Sequence, residues 1–276
     1  MPIHVQFDSA KDDTWQTLHR EVAALAREEP ILASYLHATV INHGTLEDSL
    51  SYLLAGKLCS LDLPAMSLRE VIEQAFRADA GIRRAIRSDL VAAGERDPAA
   101  QGVTNPFLNH KGFHALQSYR VARWYWEQGR RGLARYLQSR VSEIFAVDIH
   151  PAAVIGTGIF IDHATGVVIG ETAVVGNNVS ILQGVTLGGT GKESGDRHPK
   201  IGDGVLISAG AKVLGNIRVG EGAKVGAGSV VLEAVPPHTT VVGVPARVVG
   251  RCGIDQPALS MDQNVDVQDA DDTAGD

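Results

Sequence analysis

The chain has 276 residues, of which 44% are hydrophobic and 21% charged, a composition that excludes wholesale disorder and leaves room for one large domain or two ordinary ones. Its net charge of -7 is matched by seven Asp in residues 253–276, a stretch without Lys or Arg, so the remainder is neutral and lacks the basic face that nucleic-acid binding requires. There is no secretory leader pattern at the N-terminus and no run approaching 18 apolar residues, and Cys59 and Cys252 have no nearby cysteine partner; a cytoplasmic protein with reduced thiols, not associated with membranes, is expected.

The two halves differ in composition. Thirteen of the 14 aromatic residues lie in residues 1–148, whereas eight of the 30 Gly precede position 149 and twenty fall between 149 and 250. The first half reads as helical. Trp15, Leu18, Val22 and Leu25 recur at spacings of three and four and form one apolar stripe. Thr45-Leu-Glu-Asp48 and Ser67-Leu-Arg-Glu70 resemble capping boxes that open helices. Further helices are expected over about 80–93, 112–127 and 130–146, with Asp97-Pro98 in a loop between them.

The second half repeats every six residues. Aliphatic marks stand at Ile149, Ile155 and Ile161, then at Ile169, Val175, Ile181 and Leu187, then at Ile201, Ile207, Val213, Val219, Val225 and Val231. Period six fits neither a helix face nor strand alternation; it is the hexapeptide pattern of a parallel β-helix, in which three short strands close one coil of 18 residues. Thirteen marks make a little over four coils, a prism on the order of 20 Å tall. The phase breaks between Ile161 and Ile169 and between Leu187 and Ile201 leave two and then eight extra residues, which must bulge from the scaffold as Asp162–Gly166 and Gly188–Lys200. The Gly188-Gly-Thr-Gly-Lys192 run is not a nucleotide phosphate loop, because Thr186 and Glu193 stand where such a loop needs Gly and Ser or Thr.

Seven segments, Lys111–Gln117, Val147–Ala153, Asp162-His-Ala-Thr-Gly166, Thr186–Lys192, Gly195-Asp-Arg-His-Pro-Lys200, Val225–Ser229 and Pro236–Thr240, closely resemble the serine O-acetyltransferase family of cysteine biosynthesis. The resemblance runs from about residue 95 to 250. It implies an α+β chain with a helical oligomerisation domain over 1–146 and a left-handed parallel β-helix catalytic domain over 147–250; the acidic, aromatic-free composition of 251–276 reads as a disordered, flexible tail. The resemblance also implies trimers with active sites between neighbouring prisms, or pairs of such trimers.

Serine's hydroxyl needs a base near neutrality to attack a thioester, a role suited to histidine. The resemblance makes His163 that base and Asp148 its orienting carboxylate. The two are fifteen residues apart, close to one coil, so that one edge of the prism can carry both. Asp97, Asp162, Arg197 and His198 match the residues that hold L-serine, with Arg197 suited to the carboxylate and the Asp residues to the ammonium. Gly189, Thr190, Ala209, Lys224 and Ala227 match contacts to acetyl-CoA, which enters as a co-substrate; no resident cofactor and no metal are implied. His110, His114 and His150 read as structural. With neither cysteine in a motif, direct transfer in a ternary complex is expected.

Two other readings compete: a zinc lyase of carbonic anhydrase type using His163 and His198, for which position 203 offers Asp where a third His is wanted, and a non-catalytic scaffold for cysteine synthase. Retention of the four residues Asp148, His163, Arg197 and His198 speaks against the scaffold. The resemblance also implies feedback inhibition by L-cysteine. Association with cysteine synthase is in doubt, since Asp276 stands where many members end in Ile.

Overall fold

The computed structural model describes residues 12–191 and 194–265. Its first half is helical: α1 (Asp13–Glu28), α2 (Ala33–Leu36), α3 (Leu46–Leu58), α4 (Ala65–Ala78), α5 (Ala80–Arg96), α6 (Thr104–Asn109), α7 (Lys111–Glu127) and α8 (Arg131–Phe145). In α1 the side chains of Trp15, Leu18 and Val22 are buried and Leu25 packs against them, so the stripe faces the core. Thr45 caps α3 by accepting from the Asp48 amide. Ser67 does not cap anything; α4 starts two residues earlier behind Pro64, whose extended backbone and ring make the sharper start.

Short parallel strands follow, three per coil. One face of the prism is formed by β1 (Val147–Ile149), β4 (Val167–Ile169), β7 (Thr186–Gly188), β10 (Lys212–Leu214) and β13 (Val230–Val231). A second is formed by β2 (Val154–Ile155), β5 (Val174–Val175), β8 (Lys200–Ile201) and β11 (Arg218–Val219). The third comprises β3 (Phe160–Ile161), β6 (Ser180–Ile181), β9 (Leu206–Ile207), β12 (Lys224–Val225), β14 (Thr239–Gly243) and the antiparallel β15 (Ala246–Arg251). The result is a solenoid of about five turns that matches a left-handed β-helix.

All thirteen aliphatic marks point inward and are buried, each in register with the mark above it. Two further positions continue the stack: Val235 bridges to Val219, and Val241 pairs with Val225. They escaped the periodicity because the step from Val231 to Val235 is four, not six.

The helical domain is keyed to the third face. Asp89, whose side chain is fully buried, accepts from Arg120 Nε (2.9 Å) and Nη2 (2.7 Å), Gln117 Nε2 (3.0 Å) and the Ile159 amide (2.9 Å). Arg120 donates onward to the Gly156 carbonyl at 2.7 Å. Four donors on one fully buried carboxylate satisfy it. Gly112, in the first turn of α7, lies so close to the prism that a Cβ there would stand 2.0 Å from the Ile161 carbonyl oxygen.

The C-terminal segment departs from the expectation of disorder. Residues 257–260 form a short helix, α9 (Pro257–Ser260), with Ala258 buried. Its Ala258 carbonyl accepts from Ser180 Oγ at 2.8 Å, and the Ala258 amide donates to Gly204 at 3.2 Å. The apolar Pro257 and Ala258 have the third face to pack on, a docking site that composition does not reveal. Residues 266–276, the most acidic part of the expected tail, lie outside the described residues. Among the described residues no helix is long and apolar enough to cross a membrane.

Candidate active site

Two edges of the prism carry the chemistry. Where the third face turns into the first, the turns 162–166, 182–185, 208–211 and 226–229 stack one above another. Gly166, Gly184, Gly210 and Gly228 recur there with φ between 68° and 78°; the amides of Gly184, Gly210 and Gly228 bond a carbonyl of the turn below, and that of Gly166 bonds Ala146 at the end of α8. In the lowest turn the two extra residues make a bulge in which His163 (φ 53°) and Ala164 (φ 62°) also adopt left-handed backbone, strain that non-glycine residues seldom carry. Ala164 is buried inward, and His163 is thrown outward with its side chain 73% exposed.

Beside His163 stand Asp162, whose Oδ2 is 3.6 Å from its Nε2, and the α5–α7 region with Asp97 and His110. His110 Nε2 lies 3.4 Å from Asp97 Oδ2 and also meets Asn105 Nδ2 at 3.3 Å. Burial holds His110 below the ordinary histidine value, against the pull of Asp97 and Asp162. His110, read as structural from the sequence, thus stands beside Asp97 and near Asp162 and His163. Lys111 bonds Thr165 and ties the start of α7 to the bulge. Ala209 and Ala227 lie on this same edge, two and three coils above, so His163 and Ala227 are about 14 Å apart along the axis.

The opposite edge of the first face holds the turns 150–153 and 170–173 and the long loop after β7. Arg197 Nη2 pairs with Glu171 Oε2 at 2.8 Å, and this bond to the guanidinium draws Glu171 below the usual carboxylate range. His198 is buried against Gly170, where a Cβ would stand 2.0 Å from its ring. His150 lies beneath, its ring edge-on to Trp126 at 5.1 Å, and its Nδ1 accepts from the Ala152 amide. Gly189 packs on the Arg197 backbone and Thr190 under Gly215. Residues 192 and 193 of this loop are outside the described residues.

Three sequence expectations meet a different geometry within one chain. Asp148 is on the outward side of β1, between the two edges, and its Oδ1 accepts from Gln138 Nε2 at 2.7 Å; no bond joins it to His163 among the described residues. Asp97, Asp162 and His163 are gathered on one edge while Arg197 and His198 occupy the other, with the width of the first face between them. Lys224 is on neither edge: it is buried on the third face, where its ammonium donates to the Asn264 carbonyl at 2.8 Å. Glu171 and Thr172, which organise Arg197 and His198, were missed; their only sequence signal is their place one coil below the long loop. Among the described residues no group of three His, Cys, Asp or Glu is arranged to hold a metal ion.

A three-faced prism of hexapeptide coils, with an exposed histidine on a strained bulge and an arginine–histidine pair on the next edge, defines a hexapeptide-repeat acyltransferase. The N-terminal serine acetyltransferase family profile matches residues 14–118, and the bacterial transferase hexapeptide profile matches 198–233. The serine acetyltransferase of Salmonella typhimurium is 58% identical over 250 residues, 91% of this chain and 92% of its own. Among solved structures, soybean serine acetyltransferase complexed with serine is 60% identical with a TM-score of 0.84, covering 86% of this chain and 97% of that one. A serine acetyltransferase in complex with cysteine is 55% identical with a TM-score of 0.90, covering 92% and 98%. The chain belongs to the serine acetyltransferase family.

Proposed function

We propose that the family's reaction, transfer of the acetyl group of acetyl-CoA to the hydroxyl of L-serine, is carried out here with His163 as the general base. The observation that carries this reading is the His163 bulge: left-handed backbone at a non-glycine residue is retained where it aims a functional group, and here it aims an imidazole out of a rigid edge. His163 accepts the serine hydroxyl proton as the oxygen attacks the thioester carbonyl. The tetrahedral centre then collapses with loss of the CoA thiolate, which receives that proton back from the imidazolium. No acyl-enzyme is needed, since Cys59 and Cys252 both lie away from the two edges.

Asp97 and Asp162, on the His163 edge, suit the serine ammonium, and Arg197 with His198 suits its carboxylate. Because these groups occupy different edges of one prism, we assign the complete site to the groove between two copies, the His163 edge of one against the Arg197 edge of the next. Such a head-to-tail contact closes into a ring of three. Asp148 then orients His163 within or across that groove. The ladder carrying Ala209 and Ala227, with the Gly189–Thr190 loop, offers backbone N–H and C=O groups to the extended arm of acetyl-CoA. Lys224 is withdrawn from that role by its bond to Asn264. L-Cysteine, with the same ammonium and carboxylate and a thiol in place of the hydroxyl, fits the serine groups as an inhibitor. A reaction that consumes acetyl-CoA and serves cysteine synthesis supports a cytoplasmic location.

CoA thiol release from acetyl-CoA with L-serine, with homoserine as control acceptor, tests the base. His163→Ala is expected to lose on the order of 100-fold or more in kcat. A variant retaining wild-type turnover would refute the assignment of His163.

A further inference from the structure

The hydrogen bonds around His198 determine where its proton sits. Thr172 Oγ1 accepts from two backbone amides, those of Arg197 (3.0 Å) and His198 (3.1 Å), which uses both of its lone pairs. Its own proton is left to donate, and His198 Nδ1 lies 2.8 Å away. Asp196 is the competing acceptor for that hydroxyl. The outcome at the ring does not depend on the competition, because the Thr172 amide also points at Nδ1, at 3.2 Å, and an amide can only donate. Nδ1 must therefore be the ring's acceptor, and the proton belongs on Nε2. A proton on Nδ1 would face an N–H, so both the other tautomer and the imidazolium are disfavoured.

Other features point the same way. Burial, then the charges of Arg197 and Lys200, hold His198 below the ordinary histidine value against the opposing pull of Glu171, with His150 adding to the lowering. The ring packs closely on Gly170, where a Cβ would stand 2.0 Å from its Cδ2 and Nε2. Nε2 has no hydrogen-bond partner among the described residues and is not among their sealed, unsatisfied atoms, so it remains available to a ligand.

We infer that Thr172 is a positioning residue that locks His198 as the neutral Nε2–H tautomer, making His198 an uncharged hydrogen-bond donor to the acceptor's carboxylate beside Arg197. This rests on the assignment of Arg197 and His198 to that carboxylate. It gives the two histidines different roles: His163, exposed on its bulge, is the proposed base, whereas His198 offers a proton without giving it up.

Selective 15N-histidine labelling of the full chain, with His198→Gln used to assign the signal, reads the tautomer by solid-state NMR without substrate. The expected spectrum of His198 has a protonated Nε2 and an unprotonated Nδ1 at neutral pH. Thr172→Val removes one donor to Nδ1 and should move the His198 titration upward, and Thr172→Ser should restore it. In steady-state kinetics His198→Asn, whose amide reaches only the Nδ1 position, should raise the serine KM about tenfold more than His198→Gln, whose amide reaches the Nε2 position. A proton found on Nδ1, a titration that Thr172→Val leaves in place, or equal KM effects of Asn and Gln would overturn the proposal. Since the spectrum is taken on free protein, it succeeds or fails independently of the loss of turnover in His163→Ala.

Discussion

At the scale of single residues, the histidines show how environment assigns chemistry to one side-chain type. His114 is wholly buried on α7, donates from Nε2 to the Phe107 carbonyl at 2.7 Å, and is pushed down to about 3 by burial. A histidine neutral in the folded state and free to protonate when unfolded stabilises above the unfolded value and loses that contribution as pH falls toward 3. Its cost at pH 5, relative to pH 8, is about 2 kcal/mol. His114→Gln, which can keep a donor to Phe107, should flatten the acid limb of stability measured by urea unfolding between pH 7 and 5. The structural role of His114 was legible from sequence; the placement of His110 was not, because its neighbour Asp97 comes from a loop thirteen residues away whose path depends on how α5 and α7 cross. His110→Ala leaves Asp97 with a weaker hold, and a rise of several-fold in serine KM is the expected outcome.

At the scale of elements, α7 is the part that joins the two halves. Its N-terminal turn can touch the first coil only because residue 112 is Gly; Gly112→Ala forces the helix away from the Ile161 carbonyl. Overpacking of that kind costs roughly 1–3 kcal/mol, and in this place it also shifts His110 and Lys111 relative to the His163 bulge, so thermal unfolding and turnover should fall together. Further along the same helix Arg120 shares the buried Asp89 carboxylate with Gln117. Asp89→Ala strands the Arg120 charge and is expected to cost about 3–5 kcal/mol in chemical unfolding. Neither junction was visible in the sequence, because a contact between residues 28 to 70 positions apart leaves no local pattern. The strands were legible because each is defined by one inward aliphatic side chain repeated every six residues.

At the scale of the whole molecule, the prism separates the candidate groups onto two edges, and this predicts a complementation experiment. His163→Ala and Arg197→Ala should each be inactive alone. Refolded together in equal amounts, they should recover about a quarter of the wild-type sites if a closed ring joins the edge of one copy to the other edge of the next. Activity that stays at the level of the separate variants in mixed assemblies would place the whole site within one chain. By itself the sequence determined the solenoid, its first four coils, the two bulges and the family, because the hexapeptide period and the bulge motifs are local and each residue carries its own part of the signal; the last turn, with Val235 and Val241, lay out of phase with that period. Only the tertiary structure decided that Lys224 is bound to the C-terminal segment, that Asp148 is held by Gln138, and that Arg197 and His163 face different edges. Those facts depend on which face a helix covers and on how far apart three corners of a prism stand, quantities set by packing across the whole chain and not by the spacing of residues along it.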